Sequence, residues 1–472
     1  MTSDARLREA SASRGPDARG IFSARYLWVT IGTCALVFLS AFESLAVTTI
    51  MPLVSADLDG AELYALAFAG PLASGVVGMV VAGNWSDRNG PIAPLITSVA
   101  VFIAGLLIAG TATDMAMLVA GRLVQGLGSG AMNVALYVVV ARIYPPDLHA
   151  KIFAGFAAAW VIPSLIGPFA AGVVAELTSW HWVFLGVVGL VLLAMLMVVP
   201  ALRMLSGGPR IVNRPRWAVQ PIVWAVLAAL AVLGLNLSVQ LDGPFVWLGA
   251  LTAVAVALFA VRTLVPSGTL PAARGLPTVI LVRGLIAAAF FGAEVYIPYL
   301  LTERYAFSPA FAGLALTGAA LTWAGASWLQ GRLGDALTHP RAMGIGSVLV
   351  LFSILAALVT TAAALSPAIL IVGWLFGGAG MGLMYPRLSV LTLAYSSERD
   401  QGFNSSALSI SDSLGGALAL ASTGIVFASL LGIGGVWPFA GCFALAALVG
   451  CGAVAIGSRV GDGRRVGASS GR

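Results

Sequence analysis

Charge is what this sequence has least of. Only 9% of its 472 residues are Asp, Glu, Lys or Arg, whereas 59% are hydrophobic and the mean hydropathy is +0.98. A soluble domain carries about a quarter of its residues charged, so the composition excludes a water-soluble globule and reads as an integral membrane protein. Lysine is nearly absent, with Lys151 alone against the arginines, a usage that fits a GC-rich bacterium. Histidine is scarce too. His149, His181 and His339 all fall at span ends or in loops, which leaves no histidine relay or ligand set inside the membrane. The three cysteines, Cys34, Cys442 and Cys451, sit in apolar runs without C-x-x-C spacing, so neither a disulfide framework nor a metal site is expected. The net charge of +6 is scattered over many short loops instead of one stripe, so no nucleic-acid partner is expected.

What the chain has in abundance is apolar runs. Taking about 20 residues to cross a bilayer, spans are expected near 26–52, 62–85, 91–111, 115–138, 150–175, 181–202, 217–239, 244–265, 277–302, 308–331, 341–362, 366–390, 403–430 and 434–457, about fourteen in all. If the N-terminus is cytoplasmic, 22 of the 25 basic residues fall on the inner side. Only Arg304 falls outside, and Arg122 and Arg283 lie within spans. That asymmetry is the positive-inside pattern, and a missed or extra span would scramble it. Trp180, Trp182, Trp217, Trp247 and Trp437 fit an interfacial aromatic belt.

The stretch GRLVQGLGSGA at 121–131 places Arg122 and Gln125 in an apolar run, and an arginine that cannot lose its proton needs an acid or backbone carbonyls there. Gly126, Gly128 and Gly130 clear one helix flank for a close neighbour. A related stretch, GWLFGGAGMGL at 373–383, aligns at an offset of 252 and carries Trp374 where Arg122 stands; GNWSD at 83–87 is echoed by GRLGD at 331–335 at an offset of 248. Two parallel repeats of six spans follow. The expected organisation is a tail over 1–25, a bundle over 26–202, a basic linker and inserted hairpin over 203–276, a second bundle over 277–457 and a tail over 458–472. The fold class is thus all-α, two six-helix bundles with an extra two-helix hairpin between them.

Four motifs in order carry a resemblance to a known family. GNWSDRNG at 83–90 resembles the signature loop of the major facilitator superfamily, matching at Gly83, Asp87, Arg88 and Gly90, although Pro91 and Ile92 stand where basic residues are usual. RLVQG at 122–126 resembles its fourth-span motif. WVIPSLIGPFAAG at 160–172 resembles its fifth-span antiport motif, with Gly167, Pro168 and Gly172 matching. AFESLAVTTIMP at 41–52 resembles the first-span motif of the fourteen-span drug:proton antiporters, with Glu43 in place of the usual aspartate. The resemblance implies a monomeric major facilitator fold in a bacterial cytoplasmic (inner) membrane, H+ as the coupled ion, no cofactor, and small-molecule export. It assigns a conformational gate to Gly83, Asp87, Arg88, Gly90, Asp335, Pro163, Gly167, Pro168 and Gly172.

More than three residues from a span end, the expected spans hold five charged residues: Glu43, Arg122, Arg283, Glu294 and Asp412. Counting about 1.5 Å per residue, Glu43 lies roughly 13 Å and Arg122 roughly 10 Å from the outer ends of their spans, so the two are expected to pair. An arginine moving toward or away from a buried carboxylate changes its proton affinity, as proton coupling requires. Glu294 is expected at similar depth in the second half, and Arg283 and Asp412, both nearer the inner side, are a second candidate pair. Static salt bridges that fix packing are the alternative for each. Glu43, Arg122, Glu294 and Asp412 are therefore the proton-coupling candidates. Gln125, Trp160, Phe291, Tyr296, Tyr299 and Trp374 are candidates for a substrate cavity suited to lipophilic or cationic cargo. A lipid, siderophore or metabolite cargo fits the same fold. A membrane-embedded enzyme would need convergent nucleophiles, acids or histidines at one face, and a sensor would need a sizeable soluble domain; neither is in the sequence.

Overall fold

Every apolar run folds as helix, because a backbone in hydrocarbon must satisfy its own N–H and C=O groups within the segment. A computed structural model describes residues 20–206, 217–238, 241, 245–333, 336–396 and 400–461. Its helices are α1 (Leu27–Asp57), α2 (Leu66–Asn89), α3 (Ile92–Gly110), α4 (Met115–Ile143), α5 (Pro146–Leu177), α6 (His181–Ser206), α7 (Val219–Leu237), α8 (Phe245–Val261), α9 (Leu276–Glu294), α10 (Tyr296–Tyr305), α11 (Pro309–Leu333), α12 (His339–Ala362), α13 (Pro367–Ala394), α14 (Gln401–Leu431) and α15 (Trp437–Gly457). No strand occurs among the described residues.

Twelve segments are long and apolar enough to cross a membrane, and α5 makes a thirteenth if its two arms count together. The remaining apolar run appears as α8, 17 residues among those described, with residues 242–244 just before it outside the described residues. Helices α9 and α10 form one span, broken at Val295. Pro298 is the cause: it has no N–H for the Glu294 carbonyl, and its ring collides with that carbonyl. In α5 the arms Lys151–Ser164 and Ile166–Leu177 meet at 43°, where Pro168 leaves the Ser164 carbonyl without its helical donor.

Helices α1–α6 pack as one bundle and α9–α15 as another, with the α7–α8 hairpin laid over α2 and α14. The repeat seen in the sequence is visible in the contacts. The Ser74 hydroxyl of α2 donates to the Leu123 carbonyl of α4 at 2.8 Å, and the Thr322 hydroxyl of α11 donates to the Leu375 carbonyl of α13 at 2.6 Å. Those pairs are related by the same offsets, 248 and 252, as the sequence motifs. At each crossing a glycine is required by close approach: a methyl on Gly126 would strike the Pro71 carbonyl, and one on Gly378 the Ala319 carbonyl.

The face where α1 begins and α2 and α4 end is called here the terminal face. Helix α14 runs antiparallel to α2, with Gly416 beside Leu72 and Gly424 beside Ala65, so it also begins at that face.

Candidate functional site

Arg122 on α4 is 4% exposed and cannot be neutralised by losing its proton, so its surroundings must supply acceptors. Three are present. Pro71 has no N–H, which frees the Ala67 carbonyl of α2, and Arg122 Nε donates to that carbonyl at 3.2 Å. Arg122 Nη1 donates to Gln125 Oε1 at 2.6 Å and to Glu43 Oε1 of α1 in an ion pair. Glu43 is 3% exposed, and Gln125 is engaged only through its oxygen, since Nε2 is buried with no partner among the described residues. Depth counting placed Glu43 and Arg122 level with each other, and the structure brings them together. Removing one member of such a buried pair leaves an uncompensated charge, at a cost of about 3–5 kcal/mol.

Arg283 on α9 and Asp412 on α14 form a second pair, Nε to Oδ1 at 2.7 Å, but with side chains 15% and 25% exposed. Tyr385 on α13 completes it: its hydroxyl donates to Asp412 Oδ1 at 2.8 Å and its ring lies 3.5 Å beneath the guanidinium carbon. Glu294, at the end of α9, is partly buried and has neither ion pair nor hydrogen bond among the described residues.

The candidate cavity residues separate into two groups. Trp374 is fully buried, stacked on Phe290 at 4.7 Å, so the aromatic pair of the second half stands on helices equivalent to those of the Glu43–Arg122 ion pair. Tyr296 is also fully buried and Tyr299 is 9% exposed, both in a cluster with Phe427. These three, with Gln125, lie in closed packing instead of lining open space. Phe291 is half-buried, and Trp160 is 43% exposed.

The two halves are tied together away from the terminal face. The Tyr64 hydroxyl donates to the Val295 carbonyl at 2.8 Å, at the point where Pro298 breaks the span, and its ring lies 4.7 Å from that of Tyr299. On the other flank α5 crosses α11: Pro309 and Ala310 sit on Gly172, Gly313 sits on the Pro168 carbonyl, and the Ala310 N–H donates to Glu176 Oε1 at 2.9 Å. Gly167 faces Phe42 and Pro163 is buried in the same helix. At the terminal face, Gly90 closes α2 with φ +82°, a backbone that favours glycine, and Asp87 is exposed within electrostatic reach of Arg142 on α4. Arg88 ends the same helix and is partnered, and Gly83 has room beside Val134. Asn84 clasps the start of the hairpin through both backbone groups of Ala218, at 2.8 and 3.1 Å. Asp335 lies outside the described residues.

Sequence reasoning missed Tyr64, Glu176, Tyr385 and Arg387. Arg387, one of the 22 basic residues expected on the inner side, is 5% exposed within α13, bonded to Gln330 Oε1 at 2.8 Å and to the Leu337 carbonyl. A proline four residues after a carbonyl is the signal that was available, since it marks where a side chain must come in from another helix. Ser327 supplies that donor to the Gly382 carbonyl freed by Pro386, beside Tyr385. Trp180 is likewise not an interfacial residue: it is 3% exposed and its N–H donates to Asp57.

The family model of the Major Facilitator Superfamily matches residues 33–293, more than half of the sequence. The chain belongs to this superfamily. Among its relatives, the multidrug efflux pump SdrM of Staphylococcus aureus (strain N315) is 24% identical over 86% of this chain and 90% of its own length. A probable multidrug-efflux transporter of Mycobacterium tuberculosis (strain ATCC 25618 / H37Rv) is 28% identical over 85% and 88%. A solved peptide transporter POT bound to alafosfalin superposes with a TM-score of 0.68 at 16% identity, over 94% of this chain and 97% of that one, and a D-xylose-proton symporter with 0.63 at 14%, over 90% and 97%. The fold of this superfamily member is shared with transporters of quite different cargo.

Proposed function

We propose that this chain is a proton-coupled exporter of small lipophilic or cationic compounds, working by alternating access in a bacterial inner membrane and akin to the fourteen-span drug:proton antiporters. The observation that carries the reading is the Glu43–Arg122–Gln125 cluster, an acid and a permanent cation buried together at membrane depth and bonded to a proline-freed carbonyl. A static pair of this kind gains little stability over apolar packing, so its presence points to a working role. When Arg122 moves off, Glu43 is left in a low-dielectric site and takes a proton; when the arginine returns, the proton leaves. Glu294, without a counter-charge, is the second proton acceptor.

The gate reading follows from where the halves touch. With the terminal face as the cytoplasmic one, the Tyr64–Val295 bond and the α5–α11 crossing close the outer end, which leaves the cavity facing the cytoplasm to load cargo. The names of the relatives favour a drug-like cargo over a lipid or metabolite. The test is efflux of ethidium from energised membranes, wild type against Glu43→Gln, with and without an uncoupler. Extrusion that the uncoupler stops and Glu43→Gln abolishes, in a variant that still folds, supports the reading; a wild type that moves no dye refutes the cargo, and a Glu43→Gln that transports normally refutes the coupling role.

A further inference from the structure

Helix α7 belongs to neither six-helix half, and the way it is seated leaves a space on the flank of the first half, outside the region where the two halves meet. Its Ala218 end is clasped by Asn84 at the terminal face. Near its other end, Asn236 borders Gly424 of α14 at the level of Ala65. Between those points α7 packs on α2 and α14, burying a stripe of Ala225, Ala228, Val232 and Leu235, each no more than 1% exposed. Burying that stripe turns Val226, Leu230 and Leu233 toward α4, and a cavity of about 350 Å³ separates them from Leu123 and Leu127. The floor of the cavity is locked. Gly126 packs on the Pro71 carbonyl, Gly130 on the Gly75 carbonyl, and the Ser74 hydroxyl donates to the Leu123 carbonyl at 2.8 Å. Helices held together by backbone contacts cannot shift to fill the void.

From this arrangement we infer that the groove beneath α7 is a binding site for one acyl chain of a phospholipid, drawn from the leaflet away from the terminal face. Its lining runs along α2 from Leu66 to Val77, eleven positions or about 16 Å of helix, and half of a hydrocarbon core of about 30 Å is about 15 Å. The groove is therefore one leaflet deep. A volume of about 350 Å³ drawn out over that length is a slot one chain wide. Ser74 is the one polar side chain in the lining, and its hydroxyl is already spent on the Leu123 carbonyl, so the wall gives no footing to water or to a charged compound. An empty apolar void forfeits dispersion contacts in proportion to its size, and at this depth the bilayer supplies hydrocarbon chains to fill it. Val226 and Leu230, 38% and 56% exposed, form the lip by which a chain enters from the side. The chain is a resident ligand and not cargo: it fills the gap between α7 and α4 and completes the attachment of the hairpin to the first half.

Purified protein in nanodiscs containing phosphatidylcholine with a diazirine midway along one chain is irradiated, and the labelled residues are mapped by mass spectrometry. Wild type is expected to carry label on α4 at Leu123 and Leu127, behind α7, as well as on the bilayer-facing Leu251 of α8. Ala229→Phe pushes a ring into the groove from α7 and Val77→Phe fills it from α2. Each is expected to lower the α4 label about tenfold and to leave the Leu251 label within about twofold. Tetraphenylphosphonium is expected to leave the α4 label in place. A wild type without label on α4 overturns the inference, as do filled variants that melt like wild type and keep that label, or that lose it only in step with Leu251, which would mark ordinary contact with the surrounding bilayer. Displacement of the α4 label by the phosphonium would make the groove a path for cargo and overturn the lipid assignment. Labelling needs no transport, so a chain that moves no dye but is labelled as expected would sink the transport reading and leave this site standing.

Discussion

Replacing Tyr64 by Phe removes one oxygen and tests the gate with little else disturbed. The ring, packed at a tilt against Phe68, Tyr296 and Tyr299, keeps its contacts. What is lost is the 2.8 Å bond to the Val295 carbonyl, between residues only 1% and 4% exposed. Leaving that carbonyl without its donor costs about 1–2 kcal/mol. The bond spans the two halves, so it exists only while the face away from the termini is closed. The whole cost therefore falls on the closed state, and the closed-to-open ratio is expected to drop roughly 5- to 30-fold. Spin labels at the exposed Leu177 and Ile433, one on each half at that face, read the populations by electron–electron distance measurement. A shift of population toward longer distances is expected in Tyr64→Phe. An unchanged distribution in a variant that melts like wild type would refute the assignment of this bond as a gate.

Other outcomes follow from the same geometry. Gly126→Ala is expected to abolish folded, monodisperse protein because its methyl meets the Pro71 carbonyl, whereas Gly83→Ala, with 3.7 Å to Val134, is expected to purify normally despite lying in the signature loop; size-exclusion profiles decide both. Arg122→Lys keeps the charge but loses the fork that reaches Glu43, Gln125 and the Ala67 carbonyl together, so transport is expected to fall about tenfold or more without loss of expression. Glu176→Ala removes the acceptor that caps the Ala310 N–H across the halves, and Glu176→Gln retains it; the first is expected to open the outer face in the same distance measurement and the second to resemble wild type.

Much of this architecture was legible because the membrane simplifies the code. A run of apolar residues must be helix, so the runs read directly as α1–α15, and the offsets of 248 and 252 carried the repeat down to the Ser74 and Thr322 hydroxyl bonds. Burying Arg122 demanded a partner, and simple depth counting found Glu43. Two kinds of feature escaped. Hydropathy does not tell a buried Trp180 or Arg387 from an interfacial one. Contacts between the halves also escaped, since Tyr64 and Glu176 carry no periodic signal, and so did Tyr385 within the second half. Each is defined by a carbonyl, an N–H or a guanidinium that only the tertiary fold brings near. The prolines at 71 and 386 were the nearest thing to a clue, because each frees a carbonyl that a side chain of another helix takes up.

The central claim is that Glu43 exchanges a proton with each cargo molecule moved. The most direct measurement is proton flux in proteoliposomes containing purified protein and a pH-sensitive dye in the lumen, with ethidium added to one side and no other gradient imposed. Wild type is expected to move protons opposite to ethidium, and Glu43→Gln to move none while still binding the dye. Dye-driven proton flux that persists in Glu43→Gln, or ethidium transport by wild type with no accompanying proton movement, would contradict the account.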